Sequence, residues 1–347
     1  MKLHRCYLIP GLLLANWVSG PLSLAAEQAV LTFAQLATAG PDQAAAVELD
    51  WRDDRRQRPV PVKLYFPEAG QGPFPAIVFS HGLGGTREGY AYLGRHWASH
   101  GYVVVHLQHL GSDDSAWRGS TRPMAAMQQA AASLTNAVNR PLDVRFALDS
   151  LAALNRTNTL LRGRLNLDRI GVAGHSFGAY TVLASVGQRA SFTGLSLSDP
   201  RIKAGIAMSA PIPARVTEAS YSAIRVPVYH LTGTRDDSPI GNTSIADRRV
   251  PFDRISNAPQ LLLTLQDGDH MIFSGRTAVG RDAARDRRQH DLILASTTAF
   301  WDAWLKGDET AKHWLQDGPF ATELGADGKL EKKSPNSAAD KAAGASK

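Results

Sequence analysis

Cysteine is all but missing from this sequence. The only one, Cys6, lies close to the start, so a chain processed beyond it holds no thiol nucleophile, no disulfide and no cysteine metal ligand. Such a chain is held together by its core, and 347 residues are enough to build one. A membrane-spanning run is also missing: the apolar stretch from Tyr7 to Val18 is interrupted by Pro10 and Asn16 and falls short of the roughly 20 residues that a spanning helix needs. A stable membrane anchor is therefore not expected. Charge of one sign is scarce in the body of the chain. The formal net charge is +6, but Lys2 and Arg5 contribute two of these and the Lys-rich last 23 residues another two, which leaves +2 for residues 26–324. A nearly neutral body excludes nucleic acid as the expected partner. Neither GxxxxGK[ST] nor GxGxxG can be laid on Gly82, Gly84, Gly85 and Gly89, and no HExxH is present, so neither a phosphate loop nor a zinc-binding helix is indicated. No internal repeat is found.

What is there divides into three parts. A basic start, an apolar stretch and the small residues Ser23-Leu24-Ala25 read as a secretory signal peptide over residues 1–25. The closing stretch 325–347, rich in Ala, Ser, Lys and Gly without an apolar period, reads as a disordered tail. Between them, 26–324 reads as a single domain; 44% hydrophobic and 20% charged residues over the whole chain are ordinary globular composition.

Within that domain, "AVELDWRD" and "RPVPVKLYFP" flank the polar "DRRQ" as the arms of an antiparallel hairpin. Then come "FPAIVFSHG", "GYVVVHLQH", "RIGVAG", "IKAGIAMSA", "VPVYHLTG" and "PQLLLTLQ", short and almost continuously apolar, each separated by helical or polar segments. Strands buried on both faces of a parallel sheet require this pattern. The fold class is therefore α/β, a mostly parallel doubly wound sheet with an N-terminal antiparallel hairpin, and its ligand site belongs at the carboxyl ends of the strands. Helices are expected at Pro141 to Leu154, with Pro141 at the start, after Ser176, and from His290 to Leu305.

"RIGVAGHSFGAYTVL" is a strand, a sharp turn and a helix, with Ser176 at the corner between Gly174 and Gly178. This is the GxSxG elbow, in which small neighbours let a strained serine expose its hydroxyl above the sheet, beside the free N–H groups of a helix start. A serine nucleophile needs a base and the base an orienting acid, in the chain order Ser, Asp or Glu, His. "LLLTLQDGDHMIFSG" places His270 past a strand as the base; His290 and His313 fall in helical surface segments. "VPVYHLTGTRDDSPIG" offers two adjacent acids, of which Asp236, closing a turn from Gly233, is preferred over Asp237. Asp269, next to the base, reads as a turn residue. For the oxyanion, the N–H of Phe177 directly after the nucleophile is one donor, and Leu83 in the glycine-rich "VFSHGLGGTREGY" is chosen for the other. His106, His109, Asp113 and Asp114 in "HLQHLGSDD" raise the question of a metal site, but lining of a pocket is preferred; no metal and no cofactor is expected. His175 reads as packing, and the long stretch from Gly111 to Arg140, with Trp117, Met124 and Met127, reads equally as pocket wall or as core.

From about Val47 to Asp308, through "FSHGLGG", "GHSFGAYT", "LTGTRDDSPIG" and "GDHMIFSG", the chain resembles the serine α/β-hydrolases grouped as predicted dienelactone hydrolases. It is also similar to their platelet-activating-factor acetylhydrolase, chlorophyllase and bacterial polyester-hydrolase branches. The resemblance implies nucleophile Ser176, acid Asp236, base His270 and oxyanion donors Leu83 and Phe177. Two departures are visible: true dienelactone hydrolases carry cysteine where this chain has Ser176, and the acetylhydrolases carry their acid after an earlier strand, where this chain reads "AMSAPIPA". The expectation is a periplasmic or secreted serine esterase acting on small-molecule or polymeric esters through an acyl-enzyme on Ser176. The alternatives are a phospholipase or acetylhydrolase acting on lipid esters, and a catalytically silent binding protein on the same fold.

Overall fold

The computed structural model describes residues 31–70, 72–189, 195–213, 216–276 and 282–336. Residues 1–25, expected to be a signal peptide, lie outside them. The described residues fall in one compact unit.

The hairpin forms as expected: β1 (Ala44–Asp53) pairs antiparallel with β2 (Arg58–Pro67) around the polar turn. The six apolar runs become β3 (Phe74–Ser80), β4 (Val103–Leu107), β5 (Leu165–His175), β6 (Ile202–Met208), β7 (Val228–Arg235) and β8 (Gln260–Asp269), all parallel to one another. The sheet order is β1-β2-β4-β3-β5-β6-β7-β8-β9, where β9 (Gly328–Lys333) closes the far edge antiparallel to β8. This mostly parallel nine-stranded sheet with helices on both faces is the α/β-hydrolase arrangement.

The runs read as continuous because alternate side chains serve two cores. In β3, Ile77 and Phe79 face one layer with Trp97, Phe300 and Trp301, while Ala76 and Val78 face the other with Val144, Leu148 and Val182. Each fully buried aliphatic side chain stabilises by about 1.5–3 kcal/mol, so a register slip of one residue, which would exchange the faces, is excluded by both layers together. After the short α1 (Phe33–Ala37), α2 (Ala91–Ser99) lies on the first face with the helix Ala283–Trp301. Beyond α3 (Pro123–Ala132), α4 (Leu134–Thr157) and α5 (Phe177–Val186) cover the second.

Three expectations need correction. Pro141 does not start its helix: α4 begins seven residues earlier at Leu134, with the Ser133 side chain accepting from the Asn136 N–H, and Pro141 sits inside. A helix-interior proline forfeits a backbone hydrogen bond. The added turns escape a search for apolar period because Asn136 and Arg140 are polar and yet buried. The last long helix starts at Ala283, capped by Asp282, rather than at His290, because "AARDRRQ" carries no apolar stripe. The tail is not disordered throughout: residues 328–333 form β9, with Leu330 packed against the core. An edge strand is paired on one side only and commonly carries lysines, so "GKLEKK" shows little of a strand's apolar pattern. Residues 337–347 lie outside the described residues.

Candidate active site

The carboxyl ends of β3, β5, β6, β7 and β8 converge on one cleft of about 1370 Å³. At its floor, Ser176 connects β5 to α5 in a conformation that L-residues rarely adopt, φ 56° and ψ −120°. The flanking glycines are required by contact: a Cβ on Gly178 would stand 1.9 Å from the Ser80 carbonyl oxygen, and one on Gly174 would stand 2.5 Å from that of Gly178. The helix packs backbone to backbone on β3, and the serine is lifted at the bend.

His270, directly after β8, has its Nε2 3.0 Å from Ser176 Oγ, and its Nδ1 lies 2.8 Å from Asp236 Oδ1. With Nδ1–H donating to the carboxylate, Nε2 is left as the acceptor that faces the serine hydroxyl. Asp236 is fully buried, and the Ser209 and Thr232 hydroxyls donate to its second oxygen at 2.6 and 2.8 Å. Buried Arg248 adds a charge, its Nε lying 3.3 Å from Asp236 Oδ1 while it also donates to the backbone carbonyls of Asp236, Ser209 and Ala210. The carboxylate is therefore held in one orientation by four groups. Asp237 is exposed, and its backbone N–H donates to the Arg235 carbonyl. Asp269 accepts from the N–H groups of Met271 and Ile272 and shapes the turn that carries His270.

Leu83 and Phe177 both line the cleft beside Ser176 and His270. Among the described residues neither of their N–H groups has a protein acceptor. The direction of the Leu83 N–H is set by the other end of its peptide. The Gly82 carbonyl accepts from His81 Nδ1–H at 2.6 Å and from the Gly85 N–H at 3.1 Å. Because the peptide is planar and trans, the Leu83 N–H points the opposite way. Burial keeps the His81 imidazole neutral, its pKa well below the ordinary value, and its Nε2 accepts from the His109 N–H. On the other side, Tyr90 Oη accepts from the Gly82 N–H and lies 2.7 Å from His175 Nδ1. His175 is buried and packs as expected, its ring 4.6 Å from that of His270, and it also borders the cleft; burial followed by the neighbouring His270 keeps it neutral.

The "HLQHLGSDD" loop divides. Asp114 alone lines the cleft, His106 and His109 are buried behind it, and Asp113 accepts from Gln108 and Ser115. The expectation that the loop as a whole lines the pocket fails because both histidines turn toward the sheet. No group of three or more His, Cys, Asp or Glu among the described residues could hold a metal. The stretch from Gly111 to Arg140 forms much of one cleft wall, with Trp117, Met124, Met127 and Leu134; Trp117 donates its indole N–H to the Gly84 carbonyl. Met124 and Leu134 are more than half exposed.

Sequence reasoning missed Ser209, Thr232, Arg248 and Tyr90. Ser209 had one signal, its place directly after a parallel strand at the sheet's carboxyl edge; Arg248 is hidden in the polar "ADRRV".

Against known proteins, the family described as platelet-activating factor acetylhydrolase, isoform II, matches residues 57–134. The platelet-activating factor acetylhydrolase of Canis lupus familiaris is 28% identical over 195 residues, which cover 48% of this chain and 41% of that protein. The protein of the same name from Bos taurus is 27% identical over the same shares. Cutinase 1 of Thermobifida cellulosilytica is 26% identical over 173 residues, 50% of this chain and 52% of the cutinase. The chain thus spans about half or less of the length of these relatives. It is similar to this group of hydrolases, as the sequence motifs had implied.

Proposed function

We propose that the protein is a serine esterase hydrolysing carboxyl esters through an acyl-enzyme on Ser176. The observation that carries the reading is the hydrogen-bonded chain from Ser176 Oγ through His270 to the buried Asp236. In the first half-reaction His270 Nε2 takes the hydroxyl proton as Ser176 Oγ attacks the ester carbonyl. Asp236 holds the imidazole in the tautomer that can accept it and stabilises the imidazolium that forms. The Leu83 and Phe177 N–H groups receive the negative oxygen, His270 returns the proton to the leaving alkoxide, and water repeats the sequence to release the acid. The names of the relatives, acetylhydrolase and cutinase, support ester bonds over amides.

The long wall with Trp117, Met124 and Leu134 supports an ester with an apolar portion, small or polymeric. A lipid ester is the second reading, favoured by the exposed Met124 and Leu134. Export to the periplasm or beyond is supported by the signal-like pattern of residues 1–25, and no helix among the described residues is long and apolar enough to cross a membrane. No step of this chemistry calls for a metal, a cofactor or nucleic acid.

Para-nitrophenyl esters of increasing acyl length, an aromatic polyester film and a phospholipid head-group series, each offered to the purified chain with and without chelator, test the reading. Hydrolysis of the simple esters, unchanged by chelator, is expected. Turnover confined to phospholipids would replace it with the lipid reading, and binding without turnover of any ester would make the chain a binding protein.

A further inference from the structure

Behind the cleft lies a second Ser–His–Asp constellation, fully buried. Ser80 Oγ is 2.9 Å from His109 Nε2, and His109 Nδ1 is 2.9 Å from Asp143 Oδ2. It is sealed from solvent, so it has no access to substrate. Its protonation is defined. Burial raises the Asp143 pKa, but hydrogen bonds from His109 and Arg58 outweigh this and hold it at about 2. Burial, then the Arg140 charge, lowers His109 to about 4. At neutral pH His109 Nδ1–H therefore donates to Asp143, and Ser80 donates its hydroxyl proton to Nε2. The Ser80 oxygen is left to accept from Arg140 Nη2 at 3.2 Å. The relay ends on a cation.

Arg140 has none of its side chain exposed and spends its other donors on both sides of the cleft floor. Nη2 also donates to the His81 carbonyl, and Nη1 donates to Ser112 Oγ at 2.8 Å. The Ser112 carbonyl in turn accepts from the Gly84 N–H at 2.9 Å. Leu83 is thus held through both chain neighbourhoods. Toward the elbow, Arg140 Nε donates to Thr181 Oγ1, whose hydroxyl donates to the Phe177 carbonyl at 3.0 Å, and the guanidinium carbon lies 4.6 Å from the centre of the Phe177 ring.

We propose that Arg140, fixed by the Ser80–His109–Asp143 relay, is the positioning residue of the oxyanion hole, holding the loop that carries Leu83 in register with Phe177. The proposal rests on the esterase reading of the same site. A planar guanidinium can bridge these acceptors and cover the ring at once; a lysine ammonium cannot. Asp143 is ion-paired with Arg56 and Arg58, so the relay offers Arg140 an oriented neutral hydroxyl in place of a direct carboxylate, and its remaining N–H groups stay available to the two walls.

The test compares the full chain with its Arg140→Lys and Ser80→Ala variants on a para-nitrophenyl ester. Melting curves report the folded fraction, and Ser176→Ala serves as the control for the site. For Arg140→Lys, kcat is expected to fall about a hundredfold, the size of losing one oxyanion donor. KM should change less than about threefold, as for an interaction made only in the transition state. The Ki of a trifluoromethyl ketone, which forms a tetrahedral oxyanion on the serine, should rise by the same factor as kcat/KM falls, and the midpoint of the pH–rate profile should not move. Ser80→Ala, which removes one hydrogen bond on the Arg140 guanidinium, should show the same pattern at about tenfold, and it decides the matter if Arg140→Lys does not fold. Normal kcat in the folded variants, a change in KM alone, or a ketone Ki that does not follow kcat/KM overturns the positioning role. Turnover that is absent in the wild type, or that survives in Ser176→Ala, overturns the esterase reading and this proposal with it.

Discussion

Ester turnover by the Ser176→Ala protein is expected to lie about six decades below that of the wild type, with the fold unchanged. On the proposed mechanism the loss is large because the three residues would act as one unit: without Oγ, His270 would have no proton to accept and the cleft would keep only its N–H donors and its binding of substrate. The fold should survive because among the described residues Ser176 Oγ makes one hydrogen bond, to His270, while the strained bend is held by the backbone. The Ser176 N–H donates to the Met208 carbonyl at 2.8 Å, and its own carbonyl accepts from the Ala179 and Tyr180 N–H groups. Kinetics beside a thermal melt check it, and a folded Ser176→Ala protein that retains most of its activity would remove the serine from the mechanism.

Asp236→Asn is expected to cost about four decades in turnover. An amide in place of the carboxylate can present an N–H to His270 Nδ1, which reverses that hydrogen bond and leaves Nε2 protonated and unable to accept from Ser176. The Ser209 and Thr232 hydroxyls now donate to Oδ2 at 2.6 and 2.8 Å, so the amide would keep its oxygen on them and turn its nitrogen toward the imidazole. That is the unproductive arrangement. Asp237→Asn, at an exposed position, should change stability by no more than about 0.5 kcal/mol and leave the rate nearly unchanged. Rate constants measured well below both melting temperatures separate the two, and a large loss in Asp237→Asn with a normal Asp236→Asn would exchange their roles.

The architecture was legible in the sequence where burial is two-sided. β3, β4, β6 and the buried stretches of β5 and β7 are largely apolar because each of these strands feeds both layers, and no surface strand reads that way. The elbow was legible because contact geometry admits only glycine at 178. What was not legible is polar and buried. Ser209, Thr232 and Arg248 reach Asp236 from 27, 4 and 12 positions away in the chain, so no local spacing marks them. Arg140 escaped for a related reason: it sits in a helix turn whose buried face is polar, and the start of that helix was misplaced along with it. The edge strand β9 was missed because single-sided pairing leaves little apolar pattern.

The central claim is that an acyl group passes through Ser176, and intact-protein mass spectrometry of a reaction quenched within the first turnovers tests it most directly. With a para-nitrophenyl ester whose acyl-enzyme hydrolyses slowly, nitrophenol should appear in a burst equal to the enzyme concentration. The protein should gain the mass of one acyl group, and peptide mapping should place that group on Ser176. An acyl group on another residue, or steady turnover with no covalent adduct and no burst when deacylation is the slow step, would contradict the account.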